Sequence, residues 1–258
     1  MSLLSVKNVS VSIKGHTLVD DISFELEIGQ VMSIIGPNGA GKSTLLSAIA
    51  ADLNYSGTIR LHGFSEKTVE RARQLAVLPQ LSLLNFPFRV HEVVGLARIP
   101  HATGKQRDAD IVQEALKLMD ISFLADRLYT ELSGGEKQRV QLARVFAQIW
   151  AQQEDSNINS RLLLLDEPTA ALDLGHQQLL MKTIRKQAAK GLTVIMVLHD
   201  LNLAARYSDR ILALLCSQQM AFGSALDVIT THNINRLFDV NANIVPHPDD
   251  GLPIVTGI

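Results

Sequence analysis

The chain has 258 residues, and 47% of them are hydrophobic, which is enough to bury a sizeable core in one large domain or two small ones. Acidic and basic residues nearly balance at 26 against 24, so the charge gives no reason to expect binding to nucleic acid or to an anionic membrane surface. The single cysteine, Cys216, excludes an internal disulfide and is typical of a reducing compartment.

No stretch of the sequence approaches the roughly 20 apolar residues that a membrane-spanning helix needs. The runs Leu192 to Leu198 and Ile211 to Cys216 are both too short. Residues 1–8 lack the charged and apolar regions of a signal peptide. We therefore expect a soluble, cytoplasmic chain, and a membrane process would require another chain to supply the membrane part.

The first predicted element is an antiparallel β layer over Leu3 to Glu27. This segment alternates loosely between apolar and polar residues, and it contains turn-forming residues at Lys14-Gly15 and at Asp20-Asp21.

The next element, Val31 to Ile35, is an apolar run that suits a strand covered on both faces. A complete Walker A motif follows it and leads into a helical pattern from Leu45 to Ala51, which is the context that this motif requires. Its glycines let backbone N–H groups converge on phosphate oxygens, Lys42 can reach the β- and γ-phosphates, and the Ser43 hydroxyl suits Mg²⁺. The simpler alternative is a glycine-rich turn before a helix. The motif consists of Gly36, Pro37, Asn38, Gly39, Ala40, Gly41, Lys42 and Ser43, with Thr44 following.

The middle of the chain, about Val90 to Met119, has apolar residues at helical spacing, and we expect a helical lobe inserted into the core over about residues 85–150. Near its end, Ser133 and Glu136 form an S-x-x-E capping box, so the simplest interpretation is the start of a helix. A cap needs no glycines, however, and each glycine in a first turn costs about 0.5–1 kcal/mol relative to alanine. The pair Gly134-Gly135 therefore favours a second phosphate-binding element at a helix N-terminus.

Two further predicted strands end in polar residues. Leu162 to Leu165 stops at Asp166 and Glu167, and Thr193 to Leu198 stops at His199. Ligands of open parallel sheets bind beyond the carboxyl ends of the strands. We therefore expect the phosphate loop, the acidic pair and the histidine to lie along one edge of a largely parallel core sheet. An ordinary acidic strand end would be the alternative for the carboxylates.

The remaining segments are predicted to lie outside the core sheet. The polar run Gln152 to Ser160 predicts a surface loop, and residues from about 223 to 258 predict a C-terminal extension with a short helical piece and a strand-like tail.

Together these motifs resemble those of the ABC ATPases, over about residues 3–225 and in the order typical of that family. Leu132 to Glu136, with Gln138 and Arg139 after it, is similar to the ABC signature. The other matching residues are Gln80 (Q-loop), Asp166-Glu167-Pro168-Thr169 (extended Walker B), Ala171-Leu172-Asp173 (D-loop) and His199 (switch histidine). The resemblance implies an α/β fold with a P-loop NTPase core and a mainly parallel sheet. It adds an N-terminal antiparallel β subdomain and an inserted α-helical subdomain, all within one nucleotide-binding domain over residues 1–258.

The resemblance also implies ATP and Mg²⁺ as cofactors and a homodimer that sandwiches two ATP molecules. Each ATP would contact the Walker A loop of one subunit and Ser133, Gly134 and Gly135 of the other, and Asp173 is also assigned to the nucleotide site. No nucleic acid is expected as a partner.

The catalytic assignments follow from the same resemblance. Glu167 would orient or deprotonate the attacking water, and His199 would contact the γ-phosphate. Asp166 and Ser43 would serve the Mg²⁺ ion, and Gln80 would sense it.

Two departures from the family pattern are present. Family members usually stack adenine on an aromatic residue near the first hairpin, where this sequence has Ile13, with His16 as a nearby substitute. The stretch between Ala147 and Arg161 is longer than usual before Walker B.

A finer resemblance points to the ATPases of importers for iron complexes and vitamin B12. It rests on Leu78 to Gln80, Val90 to Val94, Gly95 to His101, Gly223-Ser224 and Asp249 to Pro253. The long stretch before Walker B is most similar to that of haemin importers. The implied function is to power haemin import through a separate permease dimer, with a periplasmic binding protein, at the cytoplasmic face of the inner membrane. A siderophore or vitamin B12 importer is the alternative.

Two other classes of ABC protein fit less well. Soluble ABC ATPases that act on DNA or ribosomes usually have long coiled-coil inserts or two nucleotide domains, and this sequence has neither, nor a basic run for phosphate backbones. A regulatory module that holds ATP without turnover need not keep both Glu167 and His199.

Overall fold

The computed structural model describes residues 2–80, 86–101, 103–150 and 160–257. Within these ranges the sheets are built from β1 (Ser2–Ile13), β2 (His16–Glu27), β3 (Val31–Ile35), β4 (Ser56–Leu61), β5 (Leu75–Leu78), β6 (Arg161–Asp166), β7 (Leu192–Val197), β8 (Arg210–Leu215), β9 (Gln218–Gly223), β10 (Asn243–Pro246) and β11 (Pro253–Thr256). The α-helices are α1 (Lys42–Ala50), α2 (Thr68–Gln74), α3 (Val90–Gly95), α4 (Lys105–Leu118), α5 (Gly134–Gln148), α6 (Leu174–Ala188), α7 (Leu201–Tyr207), α8 (Ala225–Val228) and α9 (Thr231–Phe238).

Nine of these strands form a single sheet in the order β4-β1-β2-β9-β8-β3-β7-β6-β5. Within this order, the pairs β8–β3, β3–β7, β7–β6 and β6–β5 are all parallel. All residues of β3, β6 and β7 are buried, because these short apolar runs are covered on both faces. The prediction of a mainly parallel core sheet is confirmed.

Alternate residues of the central strands enter two separate cores. In β6, Leu163 and Leu165 join the core on the side of the helices α3 to α7, whereas Leu162 and Leu164 join the core beneath α1 and the N-terminal strands. The period-2 geometry of a strand produces this division. Each fully buried leucine of this kind contributes about 1.5–3 kcal/mol of apolar burial.

The N-terminal antiparallel layer is also confirmed, since β1 pairs antiparallel with both β2 and β4. The turn predicted at Lys14-Gly15 joins β1 to β2. The turn predicted at Asp20-Asp21 was wrong, because β2 continues through both residues. Register shifts absorb the irregularity, and Asp21 takes a left-handed φ of 51° while its carboxylate accepts a hydrogen bond from Asn8 Nδ2 at 2.7 Å.

The middle of the chain is helical, as its spacing predicts, but the pattern from Val90 to Met119 is divided. Helix α3 continues into a 3₁₀ turn at Leu96–Arg98, and α4 begins afresh after Gly104. Helices α3 and α4 both pack against α5.

Two segments complete the description. Of the loop predicted over Gln152 to Ser160, residues 152–159 lie outside the described residues. The C-terminal segment contains α8, α9 and the β10–β11 hairpin, in agreement with the predicted helical piece and strand-like tail. No helix among the residues that the structure describes has the length and apolar character needed to cross a membrane.

Candidate functional site

The predicted phosphate loop connects β3 to α1. Gly41 is the N-terminal cap of α1 and has a left-handed φ of 94°. A Cβ atom at Gly41 would overlap the carbonyl oxygen of Leu18 in β2. Glycine is therefore required here both by backbone conformation and by the close approach of a neighbouring strand.

Lys42 is the first residue of α1 and is 6% exposed. Its Nζ donates hydrogen bonds to the backbone carbonyls of Gly36 at 2.9 Å and Pro37 at 2.8 Å. Burial lowers the pKa of Lys42, and the carboxylates of Glu167 and Asp166 oppose that effect. The ammonium group is thus held against the loop itself, at the helix end where anions are favoured.

Asp166 is the last residue of β6 and is 8% exposed. Burial raises the pKa of its carboxyl group, whereas a hydrogen bond from Ser43 and the charge of Lys42 oppose the rise. Its Oδ1 atom is buried and has no hydrogen-bond partner among the described residues. A buried carboxylate oxygen with unused acceptor capacity beside a hydroxyl fits a Mg²⁺ ion that also binds phosphate oxygens.

Glu167 follows directly and is held in a left-handed conformation, with a φ of 50°. A non-glycine residue in this region costs about 1–3 kcal/mol, and such strain clusters at functional sites. The Oε1 atom of Glu167 lies 2.8 Å from Nε2 of His199, which follows β7. The two residues meet because β6 and β7 are parallel neighbours whose ends align, with Asp166 paired to Val197.

These groups border one cleft of about 440 Å³. Gln80, an exposed residue just beyond β5, also lines it. The lining residues are Leu18, Asn38, Gly39, Gly41, Lys42, Ser43, Thr44, Gln80, Glu167 and His199. The structure therefore brings together the phosphate loop, Gln80, Glu167 and His199, with Asp166 buried behind them.

Leu18 is a cleft residue that the sequence reasoning missed. It lies on β2, and the folding of the sheet places it beside the phosphate loop, so no local sequence pattern could identify it. Ile13 and His16, which were considered for the adenine contact, are directly paired at the end of the β1–β2 hairpin. Ile13 is 40% exposed, and both residues lie outside the set that lines the cleft.

The Ser133-Gly134-Gly135 segment lies elsewhere and does not line the cleft of its own chain. Ser133 caps α5 in the predicted capping box: its Oγ accepts a hydrogen bond from Glu136 N at 3.3 Å, and its N–H donates to Glu136 Oε2 at 2.8 Å. Ser133 and Gly134 are exposed. Their position leaves the N-terminus of α5 open to the surface.

Gly135 has a packing role that the sequence argument did not identify. A Cβ atom at Gly135 would lie 2.7 Å from the carbonyl oxygen of Ala171, in the turn that follows Glu167. Gln138 donates from Nε2 to the carbonyl of Pro168 at 3.2 Å in the same turn. Helix α5 is therefore seated on the turn that leads from the acidic pair.

Asp173 is exposed and caps α6. Its Oδ1 accepts a hydrogen bond from His176 N at 2.9 Å, and its Oδ2 lies 2.8 Å from His176 Nδ1. These hydrogen bonds hold the pKa of Asp173 below its ordinary value. In this structure its carboxylate is engaged as a helix cap.

Comparison with known proteins identifies close relatives. A model of the ABC transporter family matches residues 19–170. The Hemin import ATP-binding protein HmuV of Pseudomonas entomophila (strain L48) is 45% identical over 257 residues, covering 98% of this chain and 99% of the relative. The protein of the same name from Pseudomonas aeruginosa (strain PAO1) is 43% identical with the same coverage.

Solved structures agree with the sequence comparisons. A chain from a structure described as an inward-facing conformation of a metal-chelate type ABC transporter superposes with a TM-score of 0.81 at 25% identity, covering 99% of this chain and 96% of that one. An ATP-binding cassette of an ABC transporter in its ADP conformation gives a TM-score of 0.74 at 22% identity, covering 93% and 98% of the two chains, and thus shares the fold.

The Gly134-Gly135 pair provides a test of the packing argument. We expect Gly135→Ala to lower the free energy of unfolding by about 1–3 kcal/mol, because the added methyl group overlaps the Ala171 carbonyl. Gly134→Ala is the matched control, since its Cβ would meet nothing closer than 3.9 Å, and it should stabilise the helix by up to about 1 kcal/mol. Urea unfolding without nucleotide measures both, and equal stabilities would contradict the packing role.

Proposed function

Because this chain belongs to the ABC transporter family, we propose that it is the ATP-hydrolysing subunit that drives haemin import through a separate membrane permease. The observation that carries this proposal is the identity of 41–45% with proteins named as hemin import ATP-binding proteins, over nearly the full length of both chains. The cleft between the phosphate loop, Glu167 and His199 supports the ATPase part of the proposal independently of any name.

In the proposed nucleotide site, Lys42 would exchange its two backbone carbonyl partners for the β- and γ-phosphate oxygens of ATP. The residues of the phosphate loop, from Gly36 to Thr44, would surround the phosphates with backbone N–H groups at the start of α1. Leu18 borders the same space from β2. Lys42 already lies in a water-poor site, so its attraction to phosphate is weakly screened.

For hydrolysis, we assign Glu167 to orienting and deprotonating the attacking water. Its contact with His199 supports this role, because the Glu167 Oε1 and His199 Nε2 atoms lie 2.8 Å apart and the imidazole limits the positions of the carboxylate. His199 is half-exposed toward the cleft and can also donate to the γ-phosphate. Positioning of the water is the main task of such a residue in phosphoryl transfer.

A Mg²⁺ ion is part of the proposal. When bound, it would offset the negative charge of the phosphates. Ser43 and the buried carboxylate of Asp166 would hold it, and Gln80 lies at the rim of the cleft to sense it. The unpartnered Oδ1 of Asp166 is the structural feature that favours this assignment.

The active form is proposed to be a homodimer in which Ser133, Gly134 and Gly135 of one copy contact the ATP of the other. The support is that Ser133 and Gly134 are exposed, that the segment forms a helix N-terminus, and that it lies outside the cleft of its own chain. Asp173, at the exposed cap of α6, is proposed to lie near the same interface.

We further propose that residues 1–258 form one nucleotide-binding domain, with a helical lobe over about 85–150 and a C-terminal extension over about 223–258. The chain would act at the cytoplasmic face of the inner membrane, bound to a permease dimer that receives cargo from a periplasmic binding protein. Its relatives named as import ATP-binding proteins support this placement.

We expect Glu167→Gln to keep ATP binding but to lower the hydrolysis rate by about 100-fold or more, because the amide cannot accept the proton of the attacking water. The variant should accumulate as an ATP-bound dimer, which size-exclusion chromatography with Mg-ATP detects. Lys42→Ala is the contrasting control and should lose ATP binding. Normal turnover by the Glu167→Gln protein would remove Glu167 from this role.

Ser133→Arg tests the dimer arrangement. ATP affinity of the single chain should stay within about twofold, because Ser133 does not line its own cleft, while hydrolysis falls by about 100-fold or more as the partner's site loses a phosphate contact. Binding by a fluorescent ATP analogue at low protein concentration and steady-state turnover at high concentration separate the two effects. Loss of ATP binding by the monomer would show that the assignment between subunits is wrong.

The cargo is tested in a complex reconstituted with the permease. Haem-loaded binding protein should stimulate ATP hydrolysis about fivefold or more, because cargo state and dimer closure share one conformational equilibrium. Siderophore-loaded and cobalamin-loaded binding proteins serve as controls. Equal or greater stimulation by either would overturn haemin as the cargo and leave the ATPase proposal intact.

A further inference from the structure

The segment from Gly95 to His101 has no part in the nucleotide site, yet two of its side chains are directed into the protein. Arg98 is 4% exposed, and its Nη1 donates a hydrogen bond to the carbonyl of Ala147 at 2.7 Å. The Nε2 of His101, which is partly buried, lies 2.7 Å from the carbonyl of Gln148. Both contacts are made at the C-terminal end of α5.

A third side chain completes this arrangement. Nη1 of Arg161, the first residue of β6, donates to the carbonyl of Ile149 at 2.9 Å. The last carbonyls of a helix have no partner within the helix, and cations are favoured at that end. Here each of three consecutive carbonyls, those of residues 147–149, is contacted by a hydrogen-bonding side chain from another segment.

The donors are themselves held in place. Arg98 Nε donates to Asp108 Oδ1 at 2.8 Å, and its Nη2 donates to Thr103 Oγ1 at 3.2 Å. Burial, together with the charge of Arg98, lowers the pKa of His101, although its contact with the Gln148 carbonyl opposes the shift. His101 is therefore neutral at pH 7, and a carbonyl partner requires its proton to be on Nε2.

The other end of α5 carries Ser133 and Gly135. The helix has 15 residues and is about 22 Å long, so a displacement of its C-terminal end displaces its N-terminus. Arg98 and His101 thus contact the end of α5 that lies opposite to Ser133.

We propose that Arg98 and His101 are positioning residues that fix helix α5 from its C-terminal end and thereby place Ser133 at its N-terminus. This inference rests on the proposed function, since it concerns how Ser133 is placed for the ATP of a second copy. The two hydrogen bonds to the carbonyls of Ala147 and Gln148 carry it.

His101 offers the cleaner test, because it is less buried than Arg98 and its replacement leaves no buried charge. His101→Leu should lower kcat for ATP by about fivefold to tenfold, while the ATP affinity of the single chain stays within about twofold. In the Glu167→Gln background, the same change should weaken the ATP-driven dimer by a similar factor. His101→Gln, whose amide can still donate to the Gln148 carbonyl, should restore both values to within about twofold of wild type.

His91→Leu is the matched control within the same helical region, since His91 contacts the carbonyl of Ala125 rather than α5. Unchanged kcat and unchanged dimer affinity in His101→Leu would overturn the inference, as would equal losses in His91→Leu. A parallel fall in single-chain ATP affinity would also overturn it, because that result indicates general loss of structure. Absence of ATP turnover by the wild-type chain would instead overturn the proposed function, and the dimer measurement would still decide the role of His101.

Discussion

The parallel pairing of β3, β7 and β6 is the constraint on which the candidate site depends. Because these strands run in one direction, every segment that leaves them does so at the same edge of the sheet. The phosphate loop, the acidic pair and His199 are far apart in sequence but occupy three consecutive positions along that edge. Gln80 follows β5, the next strand, and extends the row. The strand direction therefore determines which side chains can meet in the proposed catalytic site.

Helix α5 relates this edge to the rest of the molecule. Gly135 and Gln138 seat its N-terminal half on the turn that begins at Glu167, while Arg98, His101 and Arg161 hold its C-terminal end. Arg161 is also the first residue of the strand that ends at Asp166. The same helix is therefore fixed at both ends to elements that lead to the acidic pair. A helix held at both ends in a close-packed interior can shift between discrete positions but cannot deform gradually.

Much of this arrangement could be predicted from sequence, and the exceptions share a physical cause. The strands before Gly36, Asp166 and His199 are continuous apolar runs in the sequence, because a strand covered on both faces needs apolar residues at every position. Asp20-Asp21 misled because a bulge can place acidic residues inside a strand, with Asn8 of the neighbouring strand providing the compensating hydrogen bond. Contacts between distant segments leave no local pattern. Leu18 at the cleft, Ala171 against Gly135 and the clamp on α5 are all of this kind, and three-dimensional packing was needed to identify them.

The charge distribution of the cleft favours the proposal that two copies act together. Of the described residues that line it, Lys42 is the one lysine or arginine, and Glu167 adds a negative charge to the same space. A triphosphate brings several negative charges into this cleft, so further positive potential has to come from elsewhere. The divalent cation proposed at Asp166 would supply part of it. The N-terminus of α5 would supply the rest, because the first N–H groups of a helix have no partner within the helix and Ser133 Oγ accepts only the one from Glu136. Since that terminus does not reach the cleft of its own chain, electrostatics favours a second copy whose α5 faces the bound nucleotide.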